Sequence, residues 1–224
     1  MRIAIRLDDI GLQPFAGTDA GLQLARACHD AMQGSPYLGA VIPASLDDEG
    51  RGWLKSRPQG MTVAMHGVTH KMVAERIESE FAGRERRECA TMIELGMLML
   101  GVPVDHFVAP YNHYGANLDE ALADNGIRYH WTGPTIENDP SPVVHMGRYV
   151  AVPAWKPLYG ALLWPPGPGR PLCESIPMIM ERPGMAVLTL HATWEASQGK
   201  EFKGIRWLIE RYADRIISPE IYTQ

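Results

Sequence analysis

A chain of 224 residues that is 46% hydrophobic and 21% charged has ordinary globular composition, which excludes a disordered tract, a collagen-like fibre and a coiled coil. A net charge of −5 argues against a polyanion-binding surface, and no run of about 18 apolar residues is present to span a membrane. Three cysteines in no C-x-x-C spacing, and a start (Met1 to Arg6) too short and too charged for a signal peptide, point to a reducing cytoplasm.

Short β-branched runs alternate with longer helical stretches, the pattern of an α/β domain with a mainly parallel sheet. No repeat or linker divides residues 1–224, which read as one domain. Arg2 to Leu7 is the first predicted strand. Thr18 and Asp19 form an N-cap for a helix reaching Met32, with Gly34 as its stop signal. Tyr37 to Ile42 and Met61 to Met65 are the next strands. A helical pattern then runs from Glu75 to Leu100, weakened by Gly83 and Gly96, and stops at Gly101-Val102-Pro103. His106 to Ala109 reads as a strand, Leu118 to Asn125 as a helix and Ile127 to Trp131 as a strand. Tyr149 to Val152 and Ala186 to Leu190 are further strands, Leu172 to Met180 is helical, and Phe202 to Ala213 closes the chain as an amphipathic helix. The stretch from Pro153 to Pro171, with Trp155, Tyr159 and Trp164, breaks this rhythm and reads either as a binding loop or as a rigid surface excursion.

Four polar clusters follow four of these strands: Asp8-Asp9-Ile10-Gly11, His66-Gly67-Val68-Thr69-His70, Pro110-Tyr111-Asn112-His113 and His191-Ala192-Thr193-Trp194. Ligand sites of parallel α/β folds lie beyond the carboxyl ends of the strands. Each cluster has a bland reading: adjacent carboxylates also make turns and caps, and a lone strand-end histidine is usually structural. His66 and His70, four residues apart, can place both rings on one side of a helical turn and meet one metal ion. Four clusters in these places together outweigh any one of them.

The order D-D-x-G, H-x-x-x-H, a strand ending in P-Y, and a late L-H resembles the polysaccharide deacetylase family, also called NodB-homology or carbohydrate esterase family four. The resemblance spans Asp8 to His191, and its first two motifs are the specific ones. It implies a distorted (β/α)7 barrel and one divalent metal, commonly zinc, with iron, cobalt, manganese or nickel as alternatives. The implied ligands are Asp9, His66 and His70, with an open position left for water and substrate. Asp8 matches the family's general base, His191 its general acid, and the backbone N–H of Tyr111 its oxyanion donor. Pro110, Asn112 and Trp194 fall where substrate would be held.

Two departures stand out. Val108 occupies the place of the arginine that usually pairs with the base, and Thr132-Gly133-Pro134 lies where an aspartate usually tunes the acid histidine. Strand alternation puts Arg6 on the face of Asp8, so Arg6 is expected to supply the missing counter-charge, with Arg148 as the next candidate. His29, His106, His130 and His145 read as structural or surface residues, and Trp131, Trp155 and Trp164 as cleft walls or core.

The expected activity is metal-dependent hydrolysis of a small or carrier-linked N-acyl compound, releasing acetate or a related acid. Competing readings are an amidase or cyclic-amide hydrolase, an iron(II) oxygenase using the same ligand types, and an inactive domain that keeps the fold.

Overall fold

The computed structural model describes residues 2–11, 20–71, 79–112, 114–115, 117–132, 145–146, 149–153, 176–177, 180, 185–192 and 201–222. Among the described residues eight strands form one sheet: β1 (Arg2–Ile10), β2 (Tyr37–Val41), β3 (Met61–His66), β4 (His106–Val108), β5 (Tyr129–Thr132), β6 (His145–Met146), β7 (Tyr149–Pro153) and β8 (Met185–His191). Their order is β6-β7-β5-β4-β3-β2-β1-β8. Contacts divide the chain into two units. Residues 1–39, 57–62 and 155–224 form the first, and residues 40–56 and 63–154 the second.

In the first unit β1 and β8 run parallel, in register from Arg2 opposite Met185 to Asp8 opposite His191. Ile3, Ala4, Ile5 and Leu7 are all buried, so β1 shows no in–out alternation, as expected of a parallel strand covered on both faces. Helix α1 (Ala20–Ala31) packs on β1. A later helix of this unit, Lys203–Tyr212, buries Ile205, Leu208 and Ile209, the i, i+3, i+4 stripe of an amphipathic helix. The last helix, Pro219–Tyr222, lies against β1, and Ile217 N–H donates to Ile3 C=O at 2.9 Å.

In the second unit β3, β4, β5 and β7 are parallel, and β6 pairs antiparallel with β7. Helix α2 (Asp48–Lys55) is capped by Asp47, whose carboxylate accepts from Gly50 N–H at 2.7 Å. Helix α3 (Arg86–Leu100) ends on Gly101 at φ 64, a left-handed C-cap that suits glycine. Helix α4 (Leu118–Asp124) packs on α3, and Arg86 bridges Glu120 and Asp124 at their junction. The Lys203–Tyr212 and Pro219–Tyr222 helices are α5 and α6.

The helix expected over residues 75–100 begins only at Arg86. Residues 80–83 form a turn, with Gly83 at φ 68, and Glu88 accepts from Glu85 N–H at 3.2 Å to start the helix afresh. Residues 72–78 lie outside the described residues. Sequence reading did not anticipate α2, α6 or the two-residue β6. Cys28 and Cys89 are buried and take part in no disulfide among the described residues. Among the described residues no helix is long and apolar enough to cross a membrane.

Candidate functional site

Strand β1 extends past Leu7 to Ile10, so Asp8 and Asp9 belong to its end rather than to a following turn. Asp8 is 3% exposed, and the buried Arg6 side chain donates from Nη2 to its Oδ2 at 2.7 Å. Asp8 Oδ1 has no hydrogen-bond partner among the described residues and keeps its acceptor capacity. The register of β1 and β8 sets His191 directly opposite Asp8. His191 Nε2 lies 3.6 Å from Asp9 Oδ2, too long for a hydrogen bond and close enough for a charge interaction once the imidazole is protonated. Asp9 adopts a left-handed φ of 62, which breaks the alternation that would otherwise aim its side chain away from that of Asp8.

In the second unit His66 ends β3. Its Nδ1 lies 3.0 Å from Val108 C=O, and a carbonyl can only accept, so Nδ1 carries the proton and Nε2 is left as a donor atom for a metal. The segment to His70 is a loop, not the helical turn expected from the spacing. Gly67 has φ 64 and His70 φ 54, so the chain doubles back twice within four residues. The rings of His66 and His70 nevertheless meet, with centroids 4.7 Å apart. A Cβ on Gly67 would collide with Glu80 and Pro110, so this close approach requires glycine.

Glu80 holds the loop and was not picked out from the sequence. It is 4% exposed. Its Oε1 accepts from Val68 N–H at 2.7 Å and from the N–H groups of Thr69 and His70 at 3.1 Å, while Oε2 accepts from Thr69 Oγ1 at 2.7 Å. Successive N–H groups converging on one carboxylate form an anion nest. Within the charge-rich pattern Glu80 looks like one more exposed helical acid, and no local spacing distinguishes it.

Tyr111 follows β4 in the short 3-10 turn Pro110–Asn112 and has φ 58. Its hydroxyl donates to His70 C=O at 2.9 Å, and its ring lies 4.6 Å from that of His70. A left-handed conformation costs a non-glycine residue roughly 1–2 kcal/mol. Three of the six described non-glycine residues with positive φ are Asp9, His70 and Tyr111, and such strain persists where the surrounding structure enforces it.

In the second unit His66 and His70 offer two adjoining imidazoles, and in the first Asp9 offers a carboxylate at the end of β1. A carboxylate and two imidazoles are the donor set of catalytic zinc and of other divalent ions, and the fixed tautomer of His66 fits that role. Trp131 belongs to the core: it is 1% exposed, and its Nε1–H donates to His106 Nδ1 at 2.9 Å. His106 Nε2 then bears the proton and faces Asp105 at 3.3 Å, and His130 Nδ1 lies 2.9 Å from Asp119. His113, Arg148, Trp155, Trp164 and Trp194 lie outside the described residues, as do residues 133–140 and 154–171.

No family model and no curated protein matches the sequence. Solved structures do match. A protein from Mycobacterium smegmatis, provisionally named a polysaccharide deacetylase, superposes with a TM-score of 0.70 at 16% identity, over 98% of this chain and 88% of its own. A family 4 acetyl xylan esterase from Clostridium thermocellum, in complex with a cobalt ion, gives 0.59 at 12% identity over 98% and 89%. A pseudoenzyme of the same carbohydrate esterase family, from Bacillus anthracis, gives 0.61 at 9% identity over 100% and 65%. The chain therefore has the α/β fold of the polysaccharide deacetylases, the distorted barrel of NodB-homology type.

Proposed function

We propose that the chain is a divergent, metal-dependent member of the polysaccharide deacetylase family that hydrolyses an N-acyl bond. Catalysts and a pseudoenzyme share this fold, so support for activity comes from side chains. The observation that carries the reading is the pairing of the His66 and His70 rings, 4.7 Å apart, in a chain that also offers the Asp9 carboxylate at the end of β1. Retention of an acidic residue (Asp8) and a histidine (His191) opposite one another at the ends of β1 and β8 adds to it.

Asp9, His66 and His70 would hold a divalent ion, which would supply Lewis acidity toward an acyl oxygen and make water more acidic. Asp8 accepts the proton of the water that adds to the acyl carbon, with Oδ1 as acceptor and Arg6 holding Oδ2. Tyr111 N–H donates to the developing oxyanion. His191 gives its proton to the leaving nitrogen as the C–N bond breaks, leaving the free acid and the amine. Pro110, Asn112 and Trp194 border the substrate, a small or carrier-linked N-acyl compound such as an N-acetyl sugar. The cysteine spacing supports a cytoplasmic setting.

Elemental analysis of the purified chain beside Asp9→Ala and His66→Ala tests this reading. About one divalent ion per chain is expected, with both variants depleted. A wild-type chain that neither carries nor takes up a divalent ion would overturn it.

A further inference from the structure

We propose that Glu80 is a positioning residue for the metal centre: its carboxylate fixes the backbone of the 67–70 loop and thereby aims the His70 imidazole. The proposal rests on the reading of Asp9, His66 and His70 as metal ligands.

Glu80 reaches its place from the turn that precedes α3, beyond the reach of any single helical turn from the loop it holds. Val68, Thr69 and His70 present consecutive N–H groups to it, and the Thr69 hydroxyl adds a fourth donor. Fixing consecutive N–H groups on one acceptor fixes their peptide planes, and with them the Cα–Cβ direction of residue 70. The left-handed φ of 54 at His70 is a conformation a histidine seldom adopts alone. It is held from both sides: Glu80 takes the His70 N–H and the Tyr111 hydroxyl supplies a donor to the His70 carbonyl. A negative charge is the natural acceptor for such a set of donors, since hydrogen bonds to ionised groups are the stronger ones. Partners of this kind set a ligand's orientation, and removing them weakens metal affinity by about 10- to 100-fold.

The test is titration of the metal-stripped chain with Co2+, reading affinity by chelator competition and geometry by the visible absorption bands. Wild type, Glu80→Ala, Glu80→Gln, His70→Ala and the Glu80→Ala/His70→Ala double variant are compared. Glu80→Ala should bind Co2+ about 10- to 100-fold more weakly, with bands shifted toward those of His70→Ala. The double variant should bind no more weakly than His70→Ala, because Glu80 acts through that histidine. Glutamine keeps one oxygen for the three N–H groups and should recover most of the affinity. Wild-type affinity and bands in Glu80→Ala, or a full additive loss in the double variant, would overturn the proposal while leaving the metal reading intact. Failure of the wild type itself to bind Co2+ would overturn the metal reading and this one with it. Should Glu80→Ala not fold, Glu80→Asp takes its place: one methylene shorter, it should lose about tenfold, and unchanged affinity would overturn the proposal.

Discussion

Arg6 and Asp8 bury opposite charges beside one another, with side chains 1% and 4% exposed. Taking both groups out of water is costly, and removing one alone strands the other, typically at about 3–5 kcal/mol. Arg6→Met is therefore expected to lower stability by about that amount in urea denaturation. The double variant Arg6→Met/Asp8→Asn should recover a large part of the loss, because no lone charge remains. On an N-acyl substrate that the wild type hydrolyses, Arg6→Met should lower turnover about 10- to 100-fold at unchanged metal content. Undiminished turnover would remove Arg6 from the reaction. Val108 leaves the usual arginine position apolar, yet its carbonyl fixes the His66 tautomer, a role the backbone performs whatever the side chain.

At the scale of elements, α1 and β2 meet through a titratable contact. His29 Nδ1 lies 3.0 Å from the Tyr37 hydroxyl, and burial lowers the His29 pKa, with Asp30 pulling weakly the other way. A histidine whose folded pKa lies below the unfolded 6.5 binds its proton more readily when the chain unfolds. The stability it contributes is thus present above about pH 6.5 and is lost as the pH falls through the folded value. Melting temperatures taken from pH 7.5 down to pH 5.5 should fall more steeply for the wild type than for His29→Gln. Parallel slopes would show that His29 carries no such linkage.

At the scale of the whole molecule, the proposed ion predicts a linkage of another kind. A ligand that binds only the folded chain stabilises it by about 2.7 kcal/mol at a hundredfold excess over Kd. For a chain of this size that amounts to roughly 5–10 °C in melting temperature. Chelation should lower the melting point of the metal-loaded protein by this order, zinc should restore it, and Asp9→Ala should respond to neither. An equal response in Asp9→Ala would place the ion elsewhere.

Much of this organisation was legible in the sequence, because its signals are local. Strands β1, β3, β4 and β8 announce themselves as short apolar runs, and each ends on a polar group that cannot continue the core. The face shared by Arg6 and Asp8 follows from the two-residue period of a strand. The remainder was hidden because it depends on distant partners. The spacing of His66 and His70 suits a helical turn, and only the glycine at 67 and the carboxylate of Glu80 make it a doubled-back loop. Charge alternation drew Glu80 into a helix that starts at Arg86, and for Trp131 an aromatic side chain alone left cleft wall and core equally open, which burial in the fold decides as core.

On the proposed reading, the loop around Glu80 also bears on how an ion would be taken up. Its N–H groups, and the carbonyl of His70, are satisfied by the chain's own side chains. That part of the site is shaped before any ion arrives, so an incoming ion need not organise it. Exchange of one ion for another then requires no refolding of the loop. Sites of mixed nitrogen and oxygen ligands favour copper, nickel and zinc over manganese by intrinsic affinity. If Asp9, His66 and His70 hold an ion, a loop of fixed shape would add a geometric preference to that intrinsic order.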